Sequence, residues 1–441
     1  MFTNVNFFNL GKLILLVLPI YLSVALLGMG MAETAVAAGI KKEAKEEKKK
    51  NKAPLIRKKT YERLTQAQEL LEARKYKQAL AVLKKIEGMS RLNSTELSQL
   101  WNFYAYIYFS QEDYPKAIKA YQKLLQQPDL QEAIRSSTLY TLSQLYFVTE
   151  NYAKALSTVK KWMALTDSPG PDAYALLGQA HYKLKQYREA IPPLRKAITL
   201  QKEKGKPVKE NWYLLLRVNY YELKDYHNMA SVLRELVNLY PKAQYLQDLA
   251  GAYSQLGDTK KQLGIMEVMY EKGLLVTESQ IKNLASLFVM HGVPYKAAKV
   301  LEKGIEKGMV KESEKTLGLL SQSWMQSRED KKAIPPLRKA AEMSSGGELW
   351  IRLGQAYANV DQWNEAIQAL KTGLRKGGLK RVGSANILLG MSYYNMNMLS
   401  KAKSAFAAAV RTGNKKNKKV ASQWIKYIDS ELERAAALAQ G

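Results

Sequence analysis

Cysteine is absent from the 441 residues, and histidine nearly so, at three. Without thiols there can be no disulfide, thiolate zinc site, cysteine nucleophile or lipid-bearing cysteine anchor. His181, His227 and His291 stand 46 and 64 residues apart, which fits no local metal-ligand spacing. Acidic residues are scarce as well. Forty Asp and Glu against 68 Lys and Arg leave a formal charge of +28. The common catalytic signatures G-x-x-x-x-G-K-[ST], H-E-x-x-H and G-x-S-x-G do not occur. The S-x-x-K pairs Ser157–Lys160 and Ser400–Lys403 lack the S-D-N and K-T-G that accompany them in acyl-transfer enzymes. The expectation is a protein that is not an enzyme and needs no cofactor or metal.

What is present is globular in composition, 46% hydrophobic and 24% charged. Residues 13–31 form a 19-residue apolar run, followed by the small cluster Ala35-Val36-Ala37-Ala38. This reads as a signal peptide over 1–38, the alternative being an uncleaved membrane anchor. Export of a cysteine-free chain points to the periplasm of a Gram-negative bacterium. Residues 39–59 read as a basic disordered linker, with ten Lys/Arg and three Glu between Lys41 and Lys59.

From residue 60 to 414 the chain repeats. The phrases YKQAL (76–80), YPKAI (114–118), YAKAL (152–156), YREAI (187–191), YHNMA (226–230) and WNEAI (363–367) share one frame. Its small-residue markers are Ala79, Ala117, Ala155, Ala190, Met229, Gln262, Ala297, Ala333, Ala366 and Ala402, spaced 33 to 39 residues apart. Met229 and Gln262 depart from Ala. Twelve residues before nine of the ten markers lies a second small residue, as at Ala105, Gly178, Gly354 and Gly390, with an aromatic three residues later in most units. This is the tetratricopeptide pattern, a helix–turn–helix of about 34 residues. The expected fold is all-α: about ten hairpins stacked in a right-handed superhelix, with a capping helix over 415–441.

Two surfaces stand out. Non-core positions of the first helix in units two to five are Asn102, Tyr106, Phe109, Tyr140, Gln144, Phe147, Gln179, Tyr182, Val218 and Tyr221. Six of these ten are aromatic where packing does not require it, a composition that suits a concave groove for an extended or Pro-rich segment. Between Lys371 and Lys426 there are thirteen Lys/Arg and no Asp or Glu. That block includes Lys376, Lys380, Arg381, Lys415, Lys416, Lys418 and Lys419, and suits an anionic membrane surface, acidic protein segment or glycan. Nucleic acid fits the charge but not the export signal.

Several phrases exceed the generic repeat: NFYAYIYFSQEDYPKAIKAY (102–121), LYTLSQLYFVTENYAKAL (139–156), GKPVKENWYLLLRVNYYE (205–222), VPYKAAKVLEKGI (293–305), KGGLKR (376–381) and QWIKYI (423–428). Over roughly 61–430 the chain resembles periplasmic tetratricopeptide proteins found beside TonB–ExbB–ExbD systems and described as candidate TonB-system components. The resemblance implies an accessory of energised outer-membrane uptake, with TonB–ExbB–ExbD components or a TonB-dependent receptor as partners. It supplies no established site residues. Two readings compete with it: an envelope scaffold for outer-membrane assembly or secretion, and a membrane-surface or glycan adaptor working through the basic block.

Overall fold

The computed structural model describes residues 56–440, with backbone only for 435–440. The signal or anchor segment and almost all of the linker lie outside these residues. Among the described residues there are 21 α-helices and no strand. They fold as two compact units, with the division between Leu236 and Val237.

The first unit holds five antiparallel helix pairs. They are α1 (Lys58–Glu72) with α2 (Tyr76–Glu87), α3 (Ser94–Ser110) with α4 (Tyr114–Leu125), α5 (Glu132–Val148) with α6 (Tyr152–Ala164), α7 (Pro171–Lys183) with α8 (Tyr187–Glu203), and α9 (Glu210–Glu222) with α10 (Tyr226–Leu239). The last turn of α10 carries the division between units. The second unit holds α11 (Ala243–Gln255) with α12 (Thr259–Glu271), α13 (Glu278–Met290) with α14 (Pro294–Glu306), α15 (Glu314–Gln326) with α16 (Asp330–Met343), α17 (Glu348–Asn359) with α18 (Trp363–Lys376), and α19 (Val382–Asn395) with α20 (Leu399–Thr412). Helix α21 (Lys415–Gln440) closes it, stacking Trp424 on Phe406 with ring centroids 5.4 Å apart.

The small residues sit where the two helices of a pair touch. A Cβ on Gly178 would come within 2.5 Å of Leu194 Cγ, and one on Gly354 within 2.5 Å of Leu370 Cγ. Real Cβ atoms do not approach so closely, so hydrogen is the side chain these crossings accept. Ala105 does the same work in the second pair and is fully buried, as are Ala79, Ala117, Ala155, Ala190, Ala366 and Ala402. Met229 and Gln262 are buried in the same frame.

Each pair turns on one residue in the left-handed region. These are Arg74, Glu112, Glu150, Lys185, Lys224, Gly257, Gly292, Arg328, Asp361 and Asn397, all with φ between 55° and 74°. The next amide reaches back five residues, as Asp113 N–H does to the Tyr108 carbonyl at 2.8 Å, which closes the first helix. That next side chain often caps the second helix: Asp113, Asn151 and Asp258 accept from the backbone N–H of Lys116, Lys154 and Lys261. Capping accounts for Asp113 but not for its neighbour Glu112, nor for Asp361. These two hold the left-handed position instead.

Neighbouring pairs are fastened by a tyrosine. Gln122 Nε2 donates to Tyr146 Oη at 2.6 Å, Arg195 Nε to Tyr220 Oη at 2.8 Å, and Arg338 Nε to Tyr357 Oη at 3.1 Å. Each donor stands five residues after its pair's small marker. Lysines just before the marker cover the same kind of ring within a pair, with Lys116 over Tyr108, Lys154 over Tyr146 and Lys261 over Tyr253 at 5.5 to 5.7 Å. Part of the high lysine content is therefore structural.

The start of the array is anchored. Helix α1 opens at Lys58, inside the segment expected as linker, and Arg57 grips the fully buried Glu96 of α3, Nη2 to Oε2 at 2.8 Å and Nε to Oε1 at 2.9 Å. Glu96 also completes a capping box with Asn93.

Candidate functional site

Helices α3, α5, α7 and α9 carry the residues expected to line a groove. Asn102, Tyr106, Phe109, Tyr140, Gln144, Tyr182, Val218 and Tyr221 are half-buried; Phe147 and Gln179 are buried, at 8% and 5% exposure. Phe147 and Gln179 thus depart from the expected groove lining. Phe147 is taken up by the core between α5, α6 and α7, and Gln179 by the packing of α7.

These rings are not isolated. Phe109 leans on Tyr114 at 6.1 Å between centroids, Phe147 meets Tyr152 edge-on at 5.2 Å, and Tyr182 leans on Tyr187 at 6.0 Å. The partner ring always opens the second helix of the same pair, five residues on. Sequence reasoning used those tyrosines only as repeat markers; their constant offset from an aromatic on the preceding helix was the available signal. Rings braced in this way keep one orientation, so a ligand meeting them orders few rotamers.

Burial, followed by the charges of Tyr187 and Glu222, raises the Tyr182 hydroxyl above its usual range, with Arg217 opposing. Burial pushes Tyr140 up to about 12, with Asp172 adding to it, and Tyr121 up to about 12, with Tyr106 adding. These phenols stay neutral near pH 7 and offer hydrogen bonds rather than charge.

Tyr140 also packs against Trp162 in a tilted arrangement, centroids 4.6 Å apart, and the two rings line a cleft of about 390 Å³ with Pro171, Asp172, Gln201, Lys204 and Lys206. Trp162, at the far end of α6, was not singled out from sequence because nothing local links it to a residue 22 positions earlier. His181 is buried, with Nδ1 2.7 Å from Gln186 Oε1, a packed and hydrogen-bonded side chain. Among the described residues no cluster of three or more His, Asp or Glu is placed to hold a metal, and no helix is long and apolar enough to cross a membrane.

The basic block lies in the second unit. Lys376, Lys380, Arg381, Lys415, Lys416, Lys418 and Lys419 are all exposed. Lys376 ends α18 and donates to the Ser344 carbonyl at 2.8 Å. The others flank the starts of α19 and α21.

Residues 64–133 and 218–243 match tetratricopeptide-repeat models, and 110–197 match the model for anaphase-promoting complex, cyclosome, subunit 3. No curated protein sequence matches the chain. Among solved structures, a MamA protein is 22% identical with a TM-score of 0.34, covering 40% of this chain and 92% of its own. The TPR2AB domain of yeast Sti1 in its pHSP90 complex is 16% identical at 0.34, covering 59% and 98%. YrrB, described as a TPR protein with an unusual peptide-binding site, is 19% identical at 0.32, covering 38% and 82%. With its matched repeats and its succession of small-residue-packed helical hairpins, the chain has the all-α fold of a tetratricopeptide-type solenoid.

Proposed function

We propose that this chain is a non-enzymatic binding scaffold, holding an extended segment of a protein partner against the aromatic face of α3, α5, α7 and α9. The observation that carries this reading is the recurrence, in three successive pairs, of an aromatic ring braced by the tyrosine five residues on, half-buried at Phe109 and Tyr182 and buried at Phe147. Successive braced rings suit a ligand with a regular repeat, and a polyproline helix has one, at about 3.1 Å per residue. Neutral phenols and the Asn102 and Gln144 amides would supply hydrogen bonds to its exposed carbonyls.

The sequence resemblance favours a partner among TonB–ExbB–ExbD components or a TonB-dependent receptor, and hence a periplasmic location. The spacer expected in TonB-type proteins is Pro-rich and charge-alternating, which fits the ring face. In-cell photo-crosslinking from Tyr106 and Phe109, followed by mass spectrometry, tests this. Capture of TonB, ExbD or such a receptor supports the uptake reading; capture of outer-membrane assembly or secretion proteins transfers the scaffold to that machinery. The variant Tyr106→Ala/Phe109→Ala/Tyr182→Ala is expected to lose at least about 2 kcal/mol of partner affinity with helicity unchanged. Undiminished binding by that variant would remove the ring face from the mechanism.

A further inference from the structure

The basic block is split in sequence but gathered in space. Helix α19 begins against the turn that leads into α21. A Cβ on Gly383 would come within 2.4 Å of Gly413 Cα, and Asn417 Nδ2 donates to Ser384 Oγ at 3.1 Å. This close approach sets Lys380 and Arg381, just before α19, beside Lys415, Lys416, Lys418 and Lys419 in the first turns of α21. All six are exposed, and none has an ion-pair partner among the described residues.

Packing does not ask for this arrangement. Helices α3, α5, α7, α9, α13, α15 and α17 each carry an acidic residue in the first turn, which the helix dipole favours. Helices α19 and α21, like α1 and α11 among the helices that begin a pair, have no acidic residue in the first turn. In α21 cations stand there instead, where the dipole repels them. Their mutual repulsion and that of the two helix ends are relieved by an external anion. The charge also continues along α21: Lys415 and Lys426 share a face, as do Lys416 and Tyr427, each pair eleven residues or about 16 Å apart. Tyr427 is 46% exposed, bringing an aromatic into a stripe of cations. An aromatic among lysines on an exposed helix face suits the headgroup layer of a bilayer better than a bare polyanion.

We infer that the edge formed by the start of α19 and the first half of α21 docks on the phosphate headgroups of an anionic bilayer. This surface is in the second unit and independent of the ring face.

Hydrogen exchange on the full chain gives a readout local to this edge, unaffected by whatever the N-terminal segments do. Vesicles containing about 30% phosphatidylglycerol in phosphatidylcholine should slow exchange over 379–384 and 414–421. Pure phosphatidylcholine should not, and about 0.5 M NaCl should erase the effect. Replacing Lys380, Arg381, Lys415, Lys416, Lys418 and Lys419 by Gln should weaken vesicle partitioning about tenfold or more. An equal loss of charge at exposed Lys160, Lys161, Lys185, Arg188, Lys196 and Lys224 should change it less than about twofold. Absent or lipid-independent protection, or equal losses from the two variants, would overturn the proposal. So would protection by heparin or inorganic phosphate but not by vesicles, since the edge would then be a polyanion or discrete anion site.

Discussion

At the residue scale, the most consequential contact joins Arg57 to Glu96, 39 positions apart. Burial alone would raise the Glu96 carboxyl, but hydrogen bonds from the Arg57 side chain and from the Asn93 and Arg57 backbone outweigh it and lower it to about 2. A carboxylate held below its unfolded value stabilises the fold at pH values above that ordinary range. The contribution disappears as pH falls from about 4.3 towards 2. Glu96→Gln should therefore lower stability by about 2 kcal/mol at pH 7 and by much less near pH 2, read from urea midpoints at both pH values. The small residues make an equally sharp case. Gly354→Ala must displace Leu370 and should cost about 1–3 kcal/mol, whereas Gly264→Ala, with open space around it, should cost nothing or stabilise α12 slightly.

At the element scale, the fastening tyrosines predict where one pair depends on the next. Tyr357→Phe leaves Arg338 without its hydroxyl acceptor and should cost about 1 kcal/mol, with faster amide exchange in α16 and α17. Removing the cap should spread further. Trp424 stacks on Phe406 and lies 5.1 Å from Tyr394, so Trp424→Ala should loosen α19 and α20 by about 3 kcal/mol or more while exchange in α1 to α4 stays unchanged.

This is also the scale at which the sequence was most readable. The Ala and Gly markers and the following tyrosines placed each pair, because both helices of a pair must approach on small residues. The left-handed turn residues were not readable, since Arg, Glu, Lys, Asp, Asn and Gly all serve there. The candidate site was half legible. Which positions leave the helix–helix contact follows from the repeat, but how deeply Phe147 and Gln179 sink depends on side chains far away in sequence. The union of 380–381 with 415–419 hangs on two glycines thirty residues apart, Gly383 and Gly413, and no local pattern announces it.

At the scale of the whole molecule, a linear array has mainly neighbour contacts, so its unfolding need not be a single event. Trp101, Trp162 and Trp212 report on the first unit, and Trp324, Trp350, Trp363 and Trp424 on the second. A chain keeping only the first three and another keeping only the last four, the rest replaced by Phe, should show different urea midpoints by fluorescence. Coincident midpoints would mean the array melts as one body. The left-handed turns carry a last consequence. Each needs a backbone angle, and eight of the ten supply it with Arg, Glu, Lys, Asp or Asn rather than Gly. Because those side chains need not enter the core, their charge can change sign at little cost to folding. The hairpin tips are thus a margin on which mutation can redraw the electrostatic outline of the molecule, and with it the company it keeps, without touching the architecture beneath.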